Sequence, residues 1–282
     1  MEGIAISKGK GVSFPIIYSI HGETLHNHYH GNLMKAGDIA VNDCGAESLR
    51  NYASDITRTI PVSGKFSTQQ REIYQIVLDA QVKAIRAMKP GVKFKKVHML
   101  AVKTIAKGLH DLKFMKGDVE EAVKAGAHAL FMPHGLGHMM GLDVHDMENL
   151  GEDYVGYDDK TTRSDQFGLA YLRMGKALEP GHVMTVEPGI YFIPELIDLW
   201  KAEKKHSQYI NYKKVEKYRT FGGIRIEDDV LVTEKGHQVL GKPIPKSHAD
   251  VEQMASSGLY FELDEFIEQI AGLNYQGSYQ KI

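Results

Sequence analysis

Apolar residues along this chain follow two rhythms, and the switch between them separates strand-rich ends from a helical middle. Ser67 reads as an N-cap, with Gln69, Gln70 and Glu72 in the turn that follows. From there Ile73, Ile76, Val77, Ala80, Ala84, Ile85 and Met88 trace a helical stripe that stops at Pro90-Gly91. A second stripe, Val97, Leu100, Ala101, Thr104, Ile105 and Leu109, predicts another helix, and a shorter one covers residues 119–125. Strand signals flank this middle. Residues 12–20 form a strand-like run with no helix ahead to cover it, and His26, His28 and His30 have the period of two of one strand face. Residues 39–43 and 52–57 read as two strands of a hairpin, which would put Asp43 and Asp55 on the same side at neighbouring positions. A further short strand, 183–187, ends at Pro188-Gly189. The charged stretch 194–217, with Trp200, Tyr209 and Tyr212 scattered in it, reads as an excursion from the core. Together these elements predict an α+β fold with a curved antiparallel sheet covered by helices. One catalytic domain is expected over 1–244, then an extension over 245–282 carrying one amphipathic helix at most.

Composition narrows the class without naming a chemistry. The chain has 282 residues, 43% hydrophobic and 25% charged, enough to bury a single sizeable core. A net charge of −2 leaves no electrostatic footprint for nucleic acid or an anionic membrane. The single cysteine, Cys44, excludes an internal disulfide and fits a reducing compartment. No apolar run reaches the ~18 residues of a membrane span and no signal-peptide pattern opens the chain, so the expectation is a soluble cytoplasmic protein.

The candidate chemistry lies in five short Gly- and Pro-punctuated segments. They carry Asp43, Asp55, His138 in Pro133-His134-Gly135-Leu136-Gly137-His138, Glu187 in Thr185-Val186-Glu187-Pro188-Gly189, and Glu227 in Gly223-Ile224-Arg225-Ile226-Glu227-Asp228. Four carboxylates and one imidazole suit two divalent ions that share carboxylate oxygens, and a bare carboxylate in an apolar strand would otherwise be costly. With a single histidine the set favours Mn²⁺, with Co²⁺ or Zn²⁺ as alternatives. A water bridging such ions loses a proton near neutral pH and becomes a hydroxide nucleophile. The spacing of His134 and His138 matches a helical zinc-protease pair, but no Glu follows His134 and Gly-Leu-Gly separates the two, which excludes that motif. His134 and His145 read instead as hydrogen-bond donors to a carbonyl or an oxyanion, and His26 has similar standing. His21, His28 and His30 read as surface or sheet-face residues.

These segments resemble the metallopeptidases of the pita-bread fold, and the runs YASDITRT, PHGLGH, DVHD, TVEPGIYF and GGIRIEDD are similar to the proline-specific branch of prolidase and aminopeptidase P. The resemblance implies that Asp43, Asp55, His138, Glu187 and Glu227 hold the metals and that Glu187 is also the general base. It implies that His134 and His145 line the S1′ side, with His26 and Arg225 in support and Arg173 near the substrate carboxylate. The implied reaction is hydrolysis of Xaa-Pro dipeptides, with longer Xaa-Pro peptides as the alternative substrate and a non-catalytic interaction protein as the alternative of another class. The family's N-terminal domain and leading helix are not found ahead of residue 12, which predicts an exposed apolar face that associates with another copy or with a separate N-terminal domain.

Overall fold

A computed structural model describes residues 1–256 of the chain, so the remainder of the expected C-terminal extension lies outside the described residues. The first residues correct the expectation of an uncovered start. Glu2–Lys8 forms a helix, α1, with Glu2 in its first turn and Lys8 in its last, as its dipole favours. Its Ala5 packs against Ala46, with Val12 alongside. The run expected as one strand is two, β1 (Gly11–Val12) and β2 (Ile17–Ser19), separated around Pro15, which has no N–H to give a ladder. His26, His28 and His30 lie in a loop rather than on a strand. An alternating pattern needs a neighbouring row of backbone groups, and the partner of β2 is β3 (Ile39–Cys44) instead.

β4 (Ala46–Glu47) pairs with β1, and β5 (Ile56–Pro61) pairs antiparallel with β3, Asp43 opposite Thr57. The hairpin is the expected one, but its second strand begins at Ile56 rather than Tyr52. The Asp55 N–H is taken by the Asp229 carboxylate at 3.1 Å, and the Ala53 N–H by the Gly141 carbonyl at 2.8 Å, so neither joins the ladder.

The helical middle follows its stripes. Ser67 caps α2 (Thr68–Ala87) through a reciprocal pair: its hydroxyl accepts the Gln70 N–H at 3.2 Å while the Gln70 side chain accepts the Ser67 N–H at 2.8 Å. α3 (Phe94–Asp111) crosses α2 closely at Gly108, where a Cβ would come within 2.6 Å of Ile76. α4 (Val119–Lys124) and the short α5 (Glu152–Gly156) follow. Next come β6 (Val183–Val186), β7 (Gly189–Tyr191), α6 (Pro194–Ala202), α7 (Tyr212–Val215), β8 (Gly223–Arg225), β9 (Asp228–Val232), β10 (His237–Val239) and α8 (His248–Ser256). β6 and β10 flank β9, and β7 pairs with β8; every pairing is antiparallel.

The stretch 194–217 is not an excursion. Ile197, Trp200, Ile210 and Val215 are buried in the main core, and Phe114 joins it to Phe192 and Tyr218 at ring separations of 5.3 and 4.6 Å. Its charges occupy the outer face of α6 while Ile197 and Trp200, three apart, occupy the inner one, so the average composition of the segment conceals its pattern. Trp200→Ala is therefore expected to cost about 3–5 kcal/mol in urea unfolding. A change under about 0.5 kcal/mol, the scale of a free surface position, would return the segment to the periphery.

Candidate metal centre

Strand pairing brings the candidate ligands together. Asp43 sits in β3 opposite Thr57, and Asp55 lies two residues before Thr57, so alternation turns Asp43, Asp55 and Thr57 to one side. His138 arrives on a segment that zips along β6: its N–H donates to the Thr185 hydroxyl at 3.0 Å and its carbonyl accepts the Thr185 N–H at 3.0 Å. That approach requires Gly137, whose place a Cβ could take only at 1.9 Å from the Thr185 carbonyl oxygen. Glu187 follows the end of β6, where its N–H donates to the Leu136 carbonyl at 2.8 Å. Glu227 enters β9 with its N–H on the Thr57 carbonyl at 3.0 Å.

Asp55, His138 and Glu227 form the tightest group, with one donor atom from each lying within 4.8 Å of the others. His138 Nε2 is 3.5 Å from Asp55 and 3.7 Å from Glu187. Asp43 stands beside them, but one of its oxygens accepts from Arg225 at 2.6 Å. All five residues line one cavity of about 580 Å³.

The donor chemistry fits divalent cations. Asp43 Oδ1, Asp55 Oδ1 and Glu227 Oε1 are buried without a hydrogen-bond partner. Such oxygens are costly in a protein interior unless a cation meets them. Burial lifts the Asp55 and Glu227 carboxyls well above their ordinary range, and the surrounding carboxylates lift them further. Burial also raises Glu187, to about 7, although Arg225 pulls it back. Burial drops His138 to about 3, with His145 adding to the effect, so the imidazole is neutral. Its Nδ1 is 3.0 Å from the Met139 carbonyl and donates there, which leaves the Nε2 lone pair facing the carboxylates.

The remaining candidates line the same cavity, but most are already engaged. His134, neutral with its pKa lowered by burial to about 4, donates from Nδ1 to the Gly135 carbonyl at 2.7 Å and accepts the Tyr191 hydroxyl at 3.0 Å. Tyr191 accepts from Arg225 at 3.1 Å, which ties His134, Tyr191, Arg225 and Asp43 into one chain. The His145 ring lies 4.1 Å from that of His138 and is 3.4 Å from Glu148. Arg173 pairs with Glu148 at 2.5 Å and Glu152 at 2.9 Å. His26 reaches the cavity from its loop, and the exposed His28 lies at the same cavity's rim. Phe14, Pro15, Leu25, Val144, Phe167 and Tyr171 supply apolar wall.

Sequence reasoning missed Tyr191, Asp229, Thr57 and Thr185. Tyr191 and Thr185 lie inside the TVEPGIYF run and Asp229 ends GGIRIEDD, so the signal was present in those strings. Their hydrogen bonds were not, because each partner comes from a segment distant in sequence.

With this geometry in place, three comparisons agree. The model of Metallopeptidase family M24 matches residues 1–234. A probable Xaa-Pro aminopeptidase of Phaeosphaeria nodorum is 41% identical over 238 residues, 84% of this chain and 49% of that protein. The Xaa-Pro dipeptidase of Homo sapiens is 40% identical over 216 residues, 77% of this chain and 42% of that protein. Among solved structures, zinc-substituted E. coli aminopeptidase P in complex with product superposes with a TM-score of 0.69 at 36% identity, covering 87% of this chain and 48% of that one. The chain thus spans about half the length of the curated relatives it matches. Its α+β arrangement of helices and antiparallel sheets is the pita-bread fold of these structures. By matched length and by identity alike, the chain belongs to Metallopeptidase family M24.

Proposed function

We propose that this chain hydrolyses the Xaa-Pro bond of dipeptides at a divalent-metal centre held by Asp43, Asp55, His138, Glu187 and Glu227. One observation carries the reading: a neutral imidazole and buried carboxylate oxygens without partners converge on the floor of one cavity. When bound, the ions, Mn²⁺ by preference with Co²⁺ or Zn²⁺ as alternatives, supply Lewis acidity and an acidified water. Glu187 takes the proton of that water. Its side chain keeps 19% exposure toward the cavity, which leaves the carboxylate open to that water. The same proton then passes to the proline nitrogen as the bond breaks. That nitrogen carries no N–H in the substrate, so the site needs no acceptor for one.

His145 and His134 steady the scissile carbonyl from the S1′ side, with His26 beside them. The neutral His134 has one N–H, given to the Gly135 carbonyl, so its donation to the oxyanion from Nε2 requires the proton to move to that nitrogen, with loss of both the Gly135 and the Tyr191 hydrogen bonds. Arg225 orients Asp43, and Arg173 meets the substrate carboxylate by sharing itself with Glu148 and Glu152. Longer Xaa-Pro peptides are the second reading, supported by the relatives named aminopeptidase. A reducing, cytoplasmic setting belongs to the same proposal, supported by the single buried cysteine, whose thiol burial raises to about 12. No helix among the described residues is long and apolar enough to cross a membrane.

Self-association is part of the reading as well, supported by the apolar side chains that α1 and the His-rich loop expose at Ile6, Tyr29 and Leu33. Light scattering should give a mass above that of one chain, and a monomer at all concentrations would remove this element.

Glu187→Gln should retain the fold and bind Mn²⁺, yet lose at least about 10²-fold in turnover of Gly-Pro and Ala-Pro with Mn²⁺ present. Near-normal rates in this variant would defeat the assigned role.

Metal removal should also show in the pH dependence of stability. In the metal-free protein the raised Asp55, Glu187 and Glu227 carboxyls contribute stability that is present below their ordinary range and lost as pH rises through the raised values. Burial keeps His98 and His138 neutral down to about 3, and His128 and His134 down to about 4, which gives the opposite trend at acid pH. That trend ends near the ordinary histidine value of about 6.5, so only the carboxylate effect remains above it. Thermal scans of chelated protein should show a falling midpoint from about pH 6.5 to 8, restored by Mn²⁺. A midpoint indifferent to Mn²⁺ across that window would sink the metal reading.

A further inference from the structure

Residues 227–229 alternate across the sheet. Glu227 faces the cavity, and Asp229 returns to that side, where its carboxylate accepts the Asp55 N–H at 3.1 Å. Asp228 points the other way, into a buried polar knot. One of its oxygens accepts from Arg58 at 2.6 Å, and the other accepts from Gln81 at 2.7 Å and from Lys246 at 2.6 Å. The same Arg58 guanidinium donates to the Glu227 carbonyl at 2.6 Å and the Thr57 carbonyl at 2.9 Å. Its remaining donors go to the Pro245 and Ile244 carbonyls at 3.0 and 3.3 Å. Tyr74 donates to the Lys246 carbonyl at 3.0 Å. Residues 244–246 thus thread directly behind the strand that carries Glu227, and the notional domain boundary falls inside this knot.

Resting on the metal-centre reading above, we propose that Lys246 is a positioning residue for that centre: acting through Asp228 and Arg58, it fixes the Glu227 backbone so that its carboxylate meets Asp55 and His138. The geometry separates its contribution from Arg58's. Removing Arg58 would leave Asp228 and several carbonyls stranded in the interior and threaten the fold. Lys246 keeps 28% side-chain exposure, and Asp228 retains Arg58 and Gln81 without it. What its loss takes away is the second cation that holds Asp228 centred, and with it the register of Arg58 against Glu227. Groups that orient metal ligands from behind typically change affinity 10- to 100-fold when replaced.

The test uses Mn²⁺ alone, titrated by calorimetry into the full chain, with urea unfolding measured alongside. Lys246→Met should weaken Mn²⁺ binding about 10-fold or more, and Lys246→Arg should restore most of it. Arg71→Ala serves as control: it removes a 2.9 Å contact to Glu252 on α8, farther along the same segment, without touching Asp228. This control should lower stability while leaving Mn²⁺ affinity at the wild-type value. Unchanged affinity in Lys246→Met overturns the proposal. Equal weakening in Lys246→Met and Arg71→Ala overturns it too, since the segment would then act through stability alone. A wild-type chain that binds no Mn²⁺ refutes the metal reading itself, and this inference with it.

Discussion

Negative charge buried without an internal counterion is the constraint on which the centre of this molecule turns. Asp43, Asp55, Glu227 and Asp229 are each at most 7% exposed, and among the described residues the buried guanidinium on their side, Arg225, is already bonded to Asp43. In an interior of low dielectric such a group of carboxylates opposes folding unless protons or cations join it. The direction of the pKa shifts expresses that opposition, and the partnerless oxygens mark where it is concentrated. The cost is borne by packing elsewhere, through α2, α3 and the aromatic cluster around Phe114.

Position relative to the sheet, and not residue type, decides how each acid behaves. Three consecutive residues make the point. Glu227 and Asp229, on the cavity side, are pushed up, chiefly by burial. Asp228 is equally inaccessible, and burial alone would raise it, but Arg58 and Lys246 outweigh that and hold it below the ordinary range. One face of β9 therefore carries acids that burial pushes up, while the acid on the other face is held down by two cations of the chain itself. Short antiparallel strands suit this arrangement: β3, β5, β6 and β9 place the candidate ligands near or just beyond their ends, where backbone groups can bond across to a neighbouring segment, as the Asp55 and Glu187 N–H groups do.

The long stripes of α2 and α3 and the Ser67 cap were legible because helical periodicity is a local property repeated over several turns. Short elements were not. α1 was missed because seven residues carry too few turns to display a stripe, and the histidine alternation predicted a strand where no neighbouring backbone row exists. α6 was hidden by averaging, since its two buried residues are diluted by exposed charge.

By itself the sequence determined the chemistry available: four carboxylates and one imidazole in recognisable strings, their order, and the α+β class that follows from the two rhythms. Which groups meet was decided only by the tertiary structure. Asp55, His138 and Glu227 are drawn from three distant segments and converge through strand register, and the Tyr191 hydroxyl joins His134 to Arg225 across two more. Nor could the string announce that Lys246, beyond the expected domain boundary, would stand behind Glu227. Local pattern encodes which face a residue presents, whereas hydrogen-bond partners, desolvation and charge balance depend on what the rest of the chain brings to that face.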